Sequence, residues 1–287
     1  LRNALAIIDL AKDTMSEEAV SSYWSIQTAL SSLDRMEVRG RDSAGLQIFV
    51  TNESVDFSQT LNGSVSERLL NTLFTSGALR IVGKSLVFVY KISSPIGELG
   101  ENTRELRKAI TSDQLLNRCL NLPGSKVSVI GHTRWASVGI ISEANAHPVN
   151  STESEENSGP YVAAVLNGDV DNFADLKVSH RLSIAPEITT DAEVVPVLIS
   201  RSLKSGKNFT EAFRSTVRQF EGSVAIAAHA ETDIEQIGIA LRGSGQGLYV
   251  GMAEGVFVVA SEPYGLVEET DKYLRMDGES LRAGQSR

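Results

Sequence analysis

Gly131-His132-Thr133-Arg134-Trp135-Ala136-Ser137, closed by Asn145-Ala146-His147-Pro148, is the stretch whose reading decides the fold. It follows an apolar run, residues 127–130, that reads as the end of a buried strand. A guanidinium at the mouth of such a strand can grip a carboxylate through two parallel hydrogen bonds, and a neighbouring indole can wall a pocket. The plainer reading of Arg134 and Trp135 is a structural ion pair beside a half-buried aromatic ring. The choice between them rests on what else the chain carries.

Composition narrows the field. The 287 residues hold enough material for one large domain or two small ones. A hydrophobic content of 41% and a mean hydropathy of −0.07 are those of an ordinary soluble globular protein. The net charge of −9 argues against nucleic-acid binding, which needs a basic surface to neutralise phosphates. Cys119 is the single cysteine, so no intrachain disulfide forms, which suits a cytoplasmic location. No apolar run approaches the roughly 18 residues that span a membrane, and no signal peptide is recognisable. The chain opens on Leu1, and we expect the native N-terminus to lie upstream.

Outward from the opening stretch, elements follow from periodicity. Residues 1–12 read as a helix, and Thr14 with Glu17 matches a capping box that starts a second one. Its apolar face comprises Val20, Tyr23, Trp24, Leu30 and Leu33, with Trp24 expected in the core. Residues 39–45 (RGRDSAG) form a polar turn, which is either a surface turn or a pocket wall, before a strand at 46–50. A short helix is expected near 66–74, a strand at 86–92 and a charged helical segment at 99–120, where Cys119 reads as a packed thiol. The acidic run 151–159 (STESEENSG) reads as a loop. A strand at 161–166 ends on Asn167-Gly168-Asp169, and Thr189-Thr190-Asp191 caps a helix at 192–203. A helix at 210–220 and strands at 224–228, 237–241, 248–250 and 256–260 complete the pattern. Residues 243–247 (GSGQG) lack the following helix that a phosphate-binding loop needs. With no repeat and no clear linker, clustered strands and grouped helices favour an α+β layered fold.

Three further features bear on chemistry. Asn167-Gly168 offers a side-chain amide and a backbone N–H, the two donors of an oxyanion hole, although the same dipeptide is favoured in tight turns. Asp191 at a helix start is either a first-turn carboxylate or a partner for a substrate ammonium. Arg134 and Asp191 together would select an α-amino acid.

These stretches, with Thr190-Asp191-Ala192-Glu193, Ala240-Leu241-Arg242-Gly243-Ser244, Gly251 and Ala260-Ser261, resemble the ordered motifs of class II glutamine amidotransferase domains. Ser43-Ala44-Gly45 and the Arg134-Trp135 pair look like the glucosamine-6-phosphate synthase branch rather than the amidophosphoribosyltransferase branch. The likeness covers most of residues 39–261, and the stretch 50–126 reads as an insertion. Ser137 stands where the family carries Thr, and Val138 and Val149 stand where it often carries His.

The resemblance implies a four-layer αββα N-terminal-nucleophile hydrolase sandwich of two antiparallel sheets over residues 1–279, with 280–287 leading to sugar isomerase domains. It implies hydrolysis of L-glutamine by an N-terminal Cys, with ammonia passed on to make glucosamine 6-phosphate from fructose 6-phosphate. Asn167 and Gly168 would form the oxyanion hole. Arg134, Trp135, Ser137, Gly168 and Asp191 would bind substrate, with Trp135 at the ammonia exit. Arg39, Asp42, His132 and His147 would support them from behind. A homo-oligomer is expected, with no cofactor, metal, nucleic acid or membrane partner. Leu1 is not Cys, and mid-chain Cys119 has no free α-amine, so the nucleophile is expected upstream of Leu1. The alternative is a catalytically inactive glutamine-binding, regulatory or assembly domain.

Overall fold

The structure, a computed structural model, describes residues 2–12, 15–60, 65–93, 98–153, 159–253 and 255–276. They fall into two units: Leu1–Ala136 with Ile140–Pro148, and Ser137–Gly139 with Val149–Arg287.

The first unit opens with helices α1 (Arg2–Ala11) and α2 (Val20–Met36), then strand β1 (Ser43–Thr51). Two one-turn helices follow, α3 (Phe57–Thr60) and α4 (Ser66–Leu69), then strands β2 (Leu79–Val82) and β3 (Ser85–Ser93). Helices α5 (Glu101–Ser112) and α6 (Gln114–Leu120) precede strand β4 (Lys126–Arg134). The four strands form an antiparallel sheet in the order β2-β3-β1-β4, in which Ser43 lies opposite both Ser93 and Arg134. Residues 50–126, read as an insertion, supply two strands and two longer helices of this unit.

Tyr23, Ile26, Leu30 and Leu33 repeat at helical spacing along α2 and bury against Leu46, Ile48 and Val50 of β1. Trp24 is not in this core: it is 39% exposed, as is Val20. Consecutive helical residues point about 100° apart, so a stripe centred on Tyr23 turns Trp24 outward. The cap also differs from expectation. Thr14 lies outside the described residues, and Ser16 Oγ accepts the Ala19 N–H at 3.3 Å. The helix expected at 66–74 ends at Leu69.

The segment 99–120 is two helices rather than one, because Asp113 is extended (φ −80°, ψ 95°) and its carboxylate serves as a cap. Oδ1 accepts from Leu115 N and Leu116 N, Oδ2 accepts from Arg68 at 2.6 Å, and the Tyr90 hydroxyl donates to Oδ2 at 2.9 Å. Cys119 is buried in the same core, as a packed thiol should be.

The second unit contains β5 (Val149–Asn150), β6 (Val162–Val170), α7 (Phe173–Ser179), α8 (Val194–Lys204), α9 (Phe209–Val217), β7 (Gly222–Ala230) and β8 (Asp233–Arg242). Its sheet is antiparallel in the order β5-β6-β7-β8, with α8 and α9 contributing Val195, Leu198, Ile199, Phe209 and Phe213 to the core beneath it. β9 (Tyr249–Ala253), β10 (Val256–Ala260) and β11 (Tyr273–Arg275) form a small third sheet. The α+β class with two antiparallel four-stranded sheets is therefore as expected.

Two local readings change. β6 does not end at Leu166 but runs on through Asn167 and Gly168, paired with Ala225 and Val224, so this Asn-Gly is not a turn. In the acidic stretch, residues 154–158 lie outside the description, but Glu153 is anchored. Its carboxylate takes two hydrogen bonds from Arg201 on α8 and one from Ser183 N.

Asp113→Ala removes a helix cap and leaves Arg68 without its carboxylate. Urea denaturation should show a loss of about 3 kcal/mol, within the range for breaking a partly buried pair and a cap together. A loss below about 1 kcal/mol would show that this junction is not a structural anchor.

Candidate functional site

In the first unit the site residues gather where the 39–45 turn meets the end of β4. Asp42 joins the two twice: its N–H donates to Arg134 O at 3.1 Å, and its carboxylate accepts from Ala136 N at 2.9 Å. A Cβ on Gly40 would lie 2.6 Å from the Arg134 carbonyl carbon, so only glycine lets the turn lie this close. Behind the turn, the buried Glu37 carboxylate accepts from Gly100 N and from Asn102 N at 3.0 Å, while Asn102 Nδ2 donates to Arg41 O at 3.0 Å. Burial pushes the Glu37 carboxyl up, against the pull of those amides.

This backbone fixes Arg134 as the last residue of β4, 4% exposed, with Nη1 donating to Ile140 O at 3.4 Å. Trp135, between the two Asp42 contacts, is 70% exposed. His132 lies one strand period before Arg134, its ring 4.6 Å from that of His147. A Cβ on Gly45 would collide with the His147 carbonyl, so the 145–148 stretch crosses β1 at its glycine. Burial first, and the Arg134 charge second, lower the His132 pKa to about 4, which makes it a neutral packing group. Of the supporting residues expected from sequence, Asp42 bonds the Arg134 backbone, His132 lies two residues before Arg134 on β4, and His147 packs on the His132 ring. Arg39 is exposed.

In the second unit the site residues gather at the end of β6. The Ser151 contacts and the Val170 contact establish that N–H groups of even-numbered residues face the β5 side: Val162 N donates to Ser151 Oγ, and Val170 N donates to Asp191 Oδ2 at 2.7 Å. The alternate Asp171 N–H goes the other way, to Glu221 O. Among the described residues β5 pairs only with Ala163 and Ala164, so the alternation of the ladder directs the Gly168 N–H to an edge that no described strand covers. Gly168 has φ +102°, and a Cβ there would collide with Ser223 O.

Asp191 is 5% exposed in a short 3-10 turn, where Thr190 caps by accepting from Ala192 N. Ser137 reaches the same strand end, its Oγ donating to Asp169 Oδ1 at 2.6 Å. The backbone of Thr189 lies within 2.9 Å of where a Gly139 Cβ would be, so segments 137–139 and 189–191 run together. The second unit thus brings Asn167, Gly168, Asp191 and Ser137 to one place. Asp169 and Ser223 are additions. Asp169 directly follows Asn167-Gly168, the one signal that could have drawn attention to it.

Cys119 is excluded as a nucleophile on physical grounds. Burial pushes its thiol up to about 11, so the thiolate is scarce at neutral pH.

Against known proteins, no family model matches the chain. It is 36% identical over 152 residues to a glutamine–fructose-6-phosphate aminotransferase (isomerizing) of Halalkalibacterium halodurans, covering 53% of this chain and 24% of that protein. The enzyme of the same name from Bacillus thuringiensis subsp. konkukian matches at 28% over 247 residues, 86% of this chain and 32% of the relative. The chain is thus similar in sequence to glutamine–fructose-6-phosphate aminotransferases. It spans about a quarter to a third of the length of these curated relatives. Among solved structures, the glutamine phosphoribosylpyrophosphate amidotransferase of B. subtilis, complexed with ADP and GMP, aligns with a TM-score of 0.54 at 20% identity. That alignment covers 88% of this chain and 43% of the other, and it shows a shared fold. The expected likeness to the N-terminal-nucleophile glutamine amidotransferases therefore holds in both sequence and fold. Among the described residues no helix is long and apolar enough to cross a membrane.

Two outcomes follow from this geometry. An imidazole held below its ordinary 6.5 contributes fully to stability above about pH 6.5 and loses that contribution as pH falls toward about 4. Unfolding free energy should fall by on the order of 2–3 kcal/mol across that window, and His132→Gln should flatten the slope in a pH series. Gly168→Ala, which combines positive φ with a backbone collision, should cost about 2 kcal/mol or more in thermal unfolding.

Proposed function

We propose that this chain is the glutaminase portion of a glutamine amidotransferase, hydrolysing L-glutamine to glutamate and ammonia. Ammonia then passes to a sugar isomerase portion that converts fructose 6-phosphate to glucosamine 6-phosphate. The observation that carries the reading is the strand end in the second unit. A backbone N–H faces an uncovered edge at Gly168, and two residues on a buried carboxylate, Asp191, caps Val170 N. An amide donor beside a fixed anion is what a carboxamide carbonyl on an α-ammonium substrate requires.

In this reading Gly168 N–H and the Asn167 side-chain amide stabilise the oxygen that becomes negative when the carboxamide is attacked. Removing one oxyanion-hole donor typically costs about 2.7–4 kcal/mol of transition-state stabilisation. Asp191 takes the α-ammonium. Arg134, whose position in the first unit is set by β4 and Asp42, takes the α-carboxylate, and Ser137 contacts the substrate. The exposed Trp135 indole is assigned to the ammonia exit. The nucleophile is a terminal Cys whose own amine is the base. Attack forms a thioester, ammonia leaves, and water then releases glutamate. The protein is proposed to act as a homo-oligomer in the cytoplasm.

A second reading is a domain that binds glutamine without hydrolysing it, since Cys119 is buried and poorly ionised and does not itself supply the nucleophile. Glutamate release by the native protein, blocked by an alkylating glutamine analogue, would exclude it. N-terminal sequencing of that protein must then find Cys.

Binding can be tested separately from chemistry. L-Glutamate should raise the melting temperature of the protein. Arg134→Ala and Asp191→Asn should each weaken glutamate binding by roughly a hundredfold, the equivalent of about 3 kcal/mol for lost charged hydrogen bonds. If both variants retain full stabilisation, the assignment of these two residues is wrong.

A further inference from the structure

The contact between Ser137 and Asp169 has a consequence for what Ser137 can do. A hydroxyl has one proton and two lone pairs. At 2.6 Å the Ser137 proton is given to Asp169 Oδ1, a length typical of a charge-assisted O–H···O⁻ bond. What remains on Ser137 Oγ is acceptor capacity alone. Such an oxygen is suited to an N–H donor and ill suited to a carboxylate.

The surroundings say which donor. Ser137 is tied to Asp169 and Asp191 is tied to Val170, so their anchors are consecutive residues of β6. The segments that carry them also touch, at Gly139 and Thr189. Two acceptors, one anionic and one neutral, are therefore both held at the same end of β6 within the second unit. An ammonium carries three N–H donors and needs several acceptors once it leaves water.

We propose that Asp169 is a positioning residue: by holding the Ser137 proton it makes Ser137 Oγ an acceptor that shares the substrate α-ammonium with Asp191. This inference rests on the glutamine-binding reading and adds a selectivity to it. The site prefers an α-amino acid over the corresponding α-hydroxy acid partly through Asp169, which does not touch the ligand. The role of Asp169 runs entirely through Ser137.

The test is a double-mutant cycle on the native protein, read by calorimetric titration with L-glutamine and, in parallel, with its 2-hydroxy analogue. Ser137→Ala and Asp169→Ala should each weaken glutamine binding by roughly tenfold, the loss of one hydrogen bond to a charged group. The double variant should be no weaker than Ser137→Ala alone. Asp169→Asn, which keeps an acceptor oxygen, should recover most of the loss, and binding of the hydroxy analogue should change little in any variant. Additive losses, or equal losses for both ligands, would overturn the proposal while leaving glutamine binding intact. If the unsubstituted protein does not bind glutamine, both this proposal and the glutaminase reading fail. Thermal unfolding of each variant in the absence of ligand separates misfolding from lost binding, and Asp169→Asn remains the deciding variant if Asp169→Ala does not fold.

Discussion

The first unit depends on how closely the 39–45 turn lies against the end of β4. A polar turn has backbone donors and acceptors that must be satisfied, and an arginine at a strand end must be held still if it is to grip anything. Asp42 meets both needs with one residue, donating its N–H to Arg134 O and accepting Ala136 N on its side chain. The arrangement is possible because Gly40 has no Cβ to meet the Arg134 carbonyl carbon. The same economy recurs at Gly45, where the 145–148 stretch crosses the strand. Sterics, rather than turn conformation, dictate both glycines: Gly40 is extended at φ −167°, which any residue can adopt.

In the second unit the constraint is electrostatic. A strand that outruns its neighbour leaves N–H groups without partners, and such groups are costly unless something accepts from them. Asp191 accepts one, at Val170, and the alternation of the ladder turns the Gly168 N–H to the same uncovered edge. An unfinished sheet edge thus supplies donors whose direction is fixed by the strand, without any dedicated loop. Fixed dipoles of this kind cost no reorganisation when charge develops beside them, which is why oxyanion sites are so often made of backbone.

Much of this was legible from the sequence. Strand and helix positions followed from periodicity because burial on one face imposes the period directly, as on α2 and β1. The ordered short motifs pointed to the right relatives over 39–261, and the Thr190 cap and the packed state of Cys119 follow from local chemistry. Where periodicity is broken by a single residue with a remote partner, the reading failed. The helical segment 99–120 breaks at Asp113 because Arg68 and Tyr90 draw its carboxylate away from a continuing helix. Trp24 reads as part of the apolar face of α2, yet the helical phase of Tyr23 turns it outward.

The sequence by itself determined which elements form, the order of the motifs and the chemical types available: a guanidinium at a strand end, an amide-glycine pair, a carboxylate at a helix start. These are local properties, set by residues within a turn or a strand of one another. Only the tertiary structure decided that Asn167-Gly168 lies within a strand rather than in a turn, which way its N–H faces, and that Ser137 spends its proton on Asp169, 32 positions away. Direction and proton ownership belong to pairs of groups, and a pair exists only once the chain has brought its members together.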